Sequence, residues 1–442
     1  SILPASAAES HKGSRRYENG FHTLPNNSDC PEAIASVKSP CGVAIDLGTT
    51  SISFIVYSFK DGRRLTGRFG MNPQLELGSD IFTRLSNANE SPEKAGKAGN
   101  LLVNAIGSAL YDIAKYDGID PERIVSITIV GNTGIISLLT QDKYRMLLDP
   151  ESWMKPIRSV AHNVSSWKQA WGIHKHADIH IVPSIAGFVG ADILAGVYSL
   201  GIIECPRNSL LIDFGTNSEI ALWNGENLFV TSASGGPAFE GAGIGCGMPA
   251  ELGAICKAVL TPKNEIVCST VGDADAKGIC GSGLIDIIAI MRNNGTLSES
   301  GNFIHEGMVS YDLQHGAKRL RITKRDIDVI QRAKAAVGAG IRILLDAARM
   351  QVNRLEKVYI AGAFGSFLNI ENGKAIGLIP PLENGKFELC GNTALAGCEE
   401  IMISGGAESA LNRILEKSKI LNMSGCEDFE DYFLDNLYLK QM

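Results

Sequence analysis

The sequence predicts an α/β protein built from two related lobes that face a cleft. Three observations carry this. First, AIDLGTTSISF (44–54) returns as LLIDFGTNSEIAL (210–222): an apolar run, an aspartate, then a turn through glycine and threonine. Second, ITIVGNTG (127–134) is matched by VYIAGAFG (358–365), a strand that ends in a Gly-x-x-Gly turn. Third, both halves keep the two motifs in the same order, which chance supplies far less readily than either motif alone. The interval from Asp213 to Gly362 is longer than that from Asp46 to Gly131, so the second half is expected to hold an insertion near 235–320.

The elements follow in order. Residues 1–40 are polar, aperiodic and rich in Ser, Asn and Pro, and are expected to form a linker or disordered tail. CGVAIDL, from Cys41, is a buried strand. ISFIVYSFKDGRRLTGRFG predicts a hairpin that turns at Asp61-Gly62. LLVNAIGSALYDIA has helical spacing and lies in a helix expected over roughly 92–116. RIVSITIVGNTG is a β-branched strand broken at Gly131, and IHIVPSIAGFVGADILAGVYSL reads as strand, proline break and helix. SLLIDFGTNSEIALW opens the second half, and GICGSGLIDIIAIMRNN predicts a buried helix after glycines. RITKRDIDVIQRAKAAVGAGIRILLDAARM starts a long amphipathic helix capped at Thr323 and leads into the strand of KVYIAGAFGS. The acidic, aromatic CEDFEDYFLDNLYL predicts a terminal helix. The expected domains are therefore a first lobe at 41–204 and a second at 205–442, with the inserted subdomain about 235–320 and a helical tail.

Bulk composition narrows the function. The chain has 442 residues, more than one simple core accommodates, with 45% hydrophobic and 20% charged residues. A net charge of −7 without a basic stripe argues against nucleic acid. No apolar run is long enough for a membrane span, and the first residues lack a signal-peptide core, so a cytoplasmic location with reduced thiols is expected. The ten cysteines include no C-x-x-C pair, which counts against zinc and iron–sulfur sites.

A carboxylate at the end of a buried strand needs partners, and backbone amides or a hydrated Mg²⁺ would supply them. The glycine lets the backbone pass close to a ligand, while the following amides and hydroxyls can donate to phosphate oxygens. The Asp-Gly-Thr turns at 46–50 and 213–217 thus fit two jaws of a phosphate clamp. AGAFGS would bring Gly362 and Gly365 against adenine or ribose, whereas GNTG in the first half has a structural role. No G-x-x-x-x-G-K-[ST] is present, so a P-loop enzyme is excluded. GAGIGCG (241–247) lacks the strand–turn–helix context of a dinucleotide site. HKHADIH reads as a solvated strand entry rather than a metal site, and Gly281-Ser282-Gly283 lacks the full hydrolase elbow.

With these residues in view, the chain resembles the acetate and sugar kinase, Hsp70 and actin superfamily. MNPQLELGSDIFTRL, IVGNTGIISLL, VPSIAGFVGADILAG, SGGPAFEGAGIGCGM and GICGSGLID, with the two turns already described, are similar to the ATPase part of reductive activators of corrinoid proteins. The resemblance covers about residues 41–435. It implies duplicated actin/Hsp70-like, ribonuclease H-like lobes around a nucleotide cleft. It also implies ATP-driven reduction of Co(II) to Co(I) in the corrinoid protein of a methyltransferase system. The cofactors expected are ATP and Mg²⁺. Neither a plant-type iron–sulfur module nor a C-terminal cysteine cluster is found, so no cluster is expected in this chain and the electrons come from a deleted or separate donor. The short region before Cys41 counts against a middle or dimerisation domain of that family, and a homodimer stays an open expectation.

Residue by residue, the resemblance assigns Asp46, Gly48, Thr49 and Thr50 to the first phosphate turn. Asp213, Gly215, Thr216 and Asn217 form the second, and Gly362, Ala363 and Gly365 the adenosine turn. Lys334 is expected to reach the nucleotide, and Mg²⁺ to sit near Asp46 and Asp213, either of which could orient the attacking water. VTSASGGPAFEGAG (230–243) is expected to offer a mobile loop to the partner, with Ser232 or Ser234 as an oxygen ligand to cobalt. Two alternatives stay open: a small-molecule kinase on the same fold, and a nucleotide-binding module without turnover.

Overall fold

A computed structural model describes residues 22–23, 39–316, 318–365, 367–404 and 407–442. The expected tail at 1–40, Cys30 included, lies outside them apart from residues 22–23 and 39–40. The chain forms two compact units. One holds the described residues up to Glu204 together with Thr393–Ser418, the other Cys205–Asn392 and Lys419–Met442.

The first unit is built on six strands: β1 (His22–Thr23), β2 (Cys41–Leu47), β3 (Ser51–Ser58), β4 (Arg63–Met71), β5 (Ile124–Gly131) and β6 (Asp178–Ile181), in the order β1-β4-β3-β2-β5-β6. CGVAIDL is buried along its length except at Asp46, as a central strand covered on both faces must be. The β3–β4 hairpin turns at Asp61-Gly62, where Gly62 takes a φ of +66°. β2 pairs parallel with β5, so Asp46 stands beside Val130 and Leu47 beside Gly131. The predicted helix is Pro92–Asp117, capped by Ser91 through the Lys94 N–H and ended by left-handed Gly118.

The second unit repeats this frame. Its sheet comprises β7 (Ser209–Phe214), β8 (Ser218–Trp223) and β9 (Leu228–Ala233) and, after the insertion, β15 (Lys357–Ala361), β16 (Phe387–Gly391) and β17 (Ser418–Ile420). The order is β16-β15-β7-β8-β9-β17. The core β9-β8-β7-β15-β16 repeats β4-β3-β2-β5-β6 in order and in strand direction. Asp213 pairs with Ala361 just as Asp46 pairs with Val130, so the duplicated motifs occupy equivalent corners of two equivalent sheets.

The expected insertion contains β10 (Ala254–Leu260), β11 (Ile266–Thr270) and β12 (Gly278–Ile279) in one small sheet, and β13 (Ser310–His315) paired with β14 (Lys318–Thr323). The buried helix Gly281–Asn293 lies between them. Its Asp286 accepts hydrogen bonds from the Ala258 N–H (3.0 Å) and from Asn372 (2.6 Å), which satisfies a carboxylate inside the core. The helix Lys324–Ala347 begins with the predicted cap at Thr323, completed as a reciprocal box by Asp326.

The chain does not run as one unbroken second lobe from 205 to 442. The helices Thr393–Ile403 and Ala407–Lys417 fall in the first unit. Gly397 explains the close packing: a Cβ there would stand 2.0 Å from the Ala195 carbonyl of the helix Ala191–Ser199. Glu399 then takes a two-armed ion pair from Arg64 of β4, at 2.8 and 2.6 Å. The predicted terminal helix is short, Phe429–Asp435, and its Asp435 pairs with Arg342 at 3.0 Å.

Candidate functional site

Each unit carries its own half of the predicted site. In the first, Asp46 is half-buried at the end of β2, followed by half-buried Gly48, Thr49 and Thr50. Gly48 is required by space, because a Cβ there would lie 2.7 Å from the Ser51 carbonyl. All three turn carbonyls accept hydrogen bonds from Asn72 or Arg84. Asn72 donates from Nδ2 to Gly48 O (2.9 Å) and from its N–H to Thr50 O (2.8 Å). Arg84 donates to Thr49 O (2.8 Å). A trans peptide points its N–H opposite its C=O, so the amides of Thr49 and Thr50 face away from Asn72 and Arg84. Behind the turn, Cys398 donates to the carbonyls of Thr128 (3.2 Å) and Ile45 (3.6 Å). Its thiol is pushed well up, first by burial and then by the nearby Asp46 charge.

In the second unit, Asp213 and the turn through Gly215, Thr216 and Asn217 meet two further segments. Gly362 has a φ of +86°, and a Cβ there would stand 2.2 Å from the Phe214 carbonyl and 2.9 Å from Asp213 Oδ1. The turn expected to take adenosine and the turn expected to take phosphate are thus in contact, with Gly365 buried at the end of the short helix Gly362–Gly365. The third segment is Pro237–Glu240. Phe239 stacks on Phe364 at 5.0 Å, and Phe214 meets both edge-on at 5.3 and 5.1 Å. This aromatic triad fixes the three segments together. Thr216 Oγ1 also donates to Glu240, at 3.3 and 3.4 Å to its two oxygens.

The structure thus adds Glu240, Asn72 and Arg84 to the residues predicted from sequence, and also Asp192. The last lies in the first turn of Ala191–Ser199, accepts the Ile193 N–H at 2.9 Å, and has its carboxyl pushed up to about 6 by desolvation. A Cβ on neighbouring Gly190 would stand 2.6 Å from Gly131 O and 2.6 Å from Asp192 Oδ1, so this acid sits close to the end of β5, beside the strand of Asp46. VPSIAGFVGADILAG contains Asp192, but nothing in its local pattern singles the acid out.

Ser232 lies within β9, and its hydroxyl donates to Glu219 at 3.2 Å on the paired strand. Ser234, just past the strand, is exposed. Lys334 is fully buried, and its ammonium donates to the Asn436 carbonyl of the C-terminal segment. Burial pushes its pKa down to about 7, far below the 10.5 of an open lysine. Between those values the unfolded chain holds a proton that the folded chain lacks, so Lys334 makes stability rise with pH from about 7 upward. Lys334→Met is expected to lack this limb, so the difference between wild-type and variant unfolding free energies should change in favour of wild type as pH is raised from 7 to 9.5. A pH-independent difference would refute the assignment.

Among the described residues, no group of three or more His, Cys, Asp and Glu side chains assembles that could hold a metal ion, and no helix is long and apolar enough to cross a membrane. The rings of His174 and His176 lie tilted to each other, 5.7 Å between centres, at the entry to β6.

Comparison with known proteins adds to this geometry. The sequence pattern of the C-terminal domain of RACo, the ASKHA domain, matches residues 207–442. That of the RACo middle region matches 41–204, so a middle region is present, contrary to the expectation drawn from the short segment before Cys41. The corrinoid activation enzyme RamQ of Eubacterium limosum is 28% identical over 424 residues, covering 90% of this chain and 70% of that protein. The [Co(II) methylated amine-specific corrinoid protein] reductase of Methanosarcina barkeri is 25% identical over 429 residues, covering 90% and 76%. The solved structure of a reductive activator for corrinoid, iron–sulfur protein superposes with a TM-score of 0.80 at 29% identity, covering 92% of this chain and 67% of that one.

Proposed function

Because this chain belongs to the RACo family, with the middle region at 41–204 and the ASKHA domain at 207–442, we propose that it is an ATPase that reactivates a corrinoid protein. In this reaction a low-potential donor gives one electron, Co(II) becomes Co(I), and ATP and water become ADP and phosphate. The corrinoid substrate is carried by the relatives, two of which are named for acting on corrinoid proteins. The nucleotide is carried by one observation in the second unit: Gly362 brings the turn after β15 against Phe214 and Asp213.

Asp213, Gly215, Thr216 and Asn217 are assigned to phosphate, and Gly362, Ala363 and Gly365 to adenosine. Asp46, Gly48, Thr49 and Thr50 serve phosphate from the first unit, with the turn carbonyls taken by Asn72 and Arg84. Mg²⁺ would be held by Asp46 and Asp213 and supplies charge that offsets the phosphates. One or two carboxylates plus phosphate oxygens and water suit this ion, and no all-protein cage is needed. Lys334 is too deeply committed to the Asn436 carbonyl to act by direct contact, and supports the site through the helix Lys324–Ala347. On the partner side, Ser234 is the better placed of the two serines, since Ser232 already bonds Glu219.

The test is ATP hydrolysis by the full chain with Mg²⁺, with and without a Co(II) corrinoid protein and a chemical reductant. Turnover is expected to rise with the corrinoid protein, and the absorption of Co(I) to appear only with ATP. Phosphorylation of a small molecule instead would establish the kinase alternative, and binding without turnover in either condition the scaffold alternative.

A further inference from the structure

Arg84 is one of the largest fully buried side chains of the protein. It lies in the helix Ile81–Asn89, whose N-cap is Asp80. Its Nε donates to Gly78 O at 2.8 Å and its Nη1 to Thr49 O at 2.8 Å. Its Nη2 is buried and has no hydrogen-bond partner among the described residues. Asp80, the acid whose charge it feels, is occupied with Thr83, accepting from its N–H (2.9 Å) and its hydroxyl (2.7 Å).

Two other guanidinium groups of the same unit, buried Arg68 and half-buried Arg64, are each paired with a carboxylate. Arg68, equally buried, is paired with Asp117 at 2.7 Å. Arg64 grips Glu399 with two arms. Arg84 is held only by carbonyl oxygens. Burial lowers its pKa to about 10, so it remains a cation at neutral pH. A buried cation without a bonded carboxylate is costly, and the cost falls when an anion binds across the peptide from it. One of its two anchors is the middle carbonyl of the Asp46 turn.

We propose that Arg84 is the positioning residue that gives the Asp46 turn its grip on an anion, and that this anion is the polyphosphate of the nucleotide. The proposal rests on the nucleotide assignment made for the same turn. Arg84 acts in two ways. It fixes the Thr49 carbonyl, which points the Thr50 amide away from the guanidinium, as Asn72 does for the Thr49 amide through the Gly48 carbonyl. It also places a full positive charge directly behind the peptide that donates. The charge selects for phosphate, whereas adenosine gains nothing from it.

The test measures binding of ATP, ADP and adenosine to the full chain with Mg²⁺ by titration calorimetry, for wild type, Arg84→Met and Arg84→Lys. Arg84→Met is expected to weaken ATP on the order of tenfold or more while adenosine affinity stays unchanged. Arg84→Lys keeps the charge and is expected to recover part of the loss. Circular dichroism establishes that each variant is folded, and Arg84→Gln takes the place of Arg84→Met if that variant does not fold. Unchanged ATP affinity in the neutral variant, or an equal loss for ATP and adenosine, would overturn the proposal. Asp213→Asn serves as the control for the nucleotide assignment. If wild type binds no nucleotide, that assignment fails and takes the role of Arg84 with it; if Asp213→Asn alone alters the Mg²⁺-dependent binding of ATP, only the role of Arg84 fails.

Discussion

Replacing Gly362 by alanine is expected to destabilise the second unit by about 2–4 kcal/mol and to abolish nucleotide binding. Two independent strains meet at this position. The φ of +86° is one that L side chains rarely adopt, and the new Cβ would stand 2.2 Å from the Phe214 carbonyl and 2.9 Å from Asp213 Oδ1. Neither obstacle is the loose end of a flexible chain. Phe214 is a strand residue pinned by Phe239 and Phe364, so relief requires the end of β7 to move away from β15. The turn at Asp213–Asn217, assigned above to phosphate, moves with it. Denaturant unfolding should show a lower midpoint with an unchanged slope. Gly365→Ala is the natural comparison. Its φ lies outside the left-handed region and its Cβ would meet Ile360 Cγ2 at 2.9 Å, so a smaller loss is expected. A loss for Gly362→Ala within about 0.5 kcal/mol, with nucleotide binding intact, would show that the two turns do not depend on each other.

The residues that could be read from sequence and those that could not differ in the range of their interactions. Asp46 and Asp213 stand out because strand, acid, glycine and threonine are contiguous, and the repetition of the pattern fixes its place in two equivalent sheets. The cap at Thr323 is legible for the same reason, since its partner Asp326 is three residues on. Arg84, by contrast, meets the turn at Thr49 through tertiary packing, and its sequence neighbours mark it only as one position of a short amphipathic helix. Glu240 reaches Thr216 across the intervening β8 and β9. The exchange of 393–418 into the first unit has no local signature, because helical periodicity states that a face is buried but not against what. Gly397, where only a hydrogen fits against Ala195, is the trace it leaves in the sequence. The surroundings of Lys334 were illegible for a similar reason: the pattern places it on the long helix, but only the C-terminal segment, which closes over it at Asn436, decides what its ammonium meets.

Replacing Asp213 by asparagine is expected to lower ATP turnover by about two to three orders of magnitude while leaving the fold intact. The substitution keeps shape and changes charge. Asp213 is half-buried at the end of β7, between Ile212 in the core and Phe214 in the aromatic triad, so the backbone that presents it is fixed from both sides. The amide should therefore occupy the place of the carboxylate. What is lost is a negative charge that can hold hydrated Mg²⁺ or orient the attacking water, and phosphoryl transfer depends on charge placement more than on covalent participation. Two readouts separate these roles. If the charge holds Mg²⁺, turnover in the variant should climb again as Mg²⁺ is raised, and ATP binding without Mg²⁺ should match wild type. If it orients water, turnover stays low at saturating Mg²⁺ and binding is unaffected in both conditions. Asp46→Asn, at the equivalent corner of the other sheet, is the matched comparison. Should the two variants lose turnover to the same degree and in the same way, the acids share one task. Full activity in Asp213→Asn would remove the second turn from the chemistry and leave it a structural end to β7.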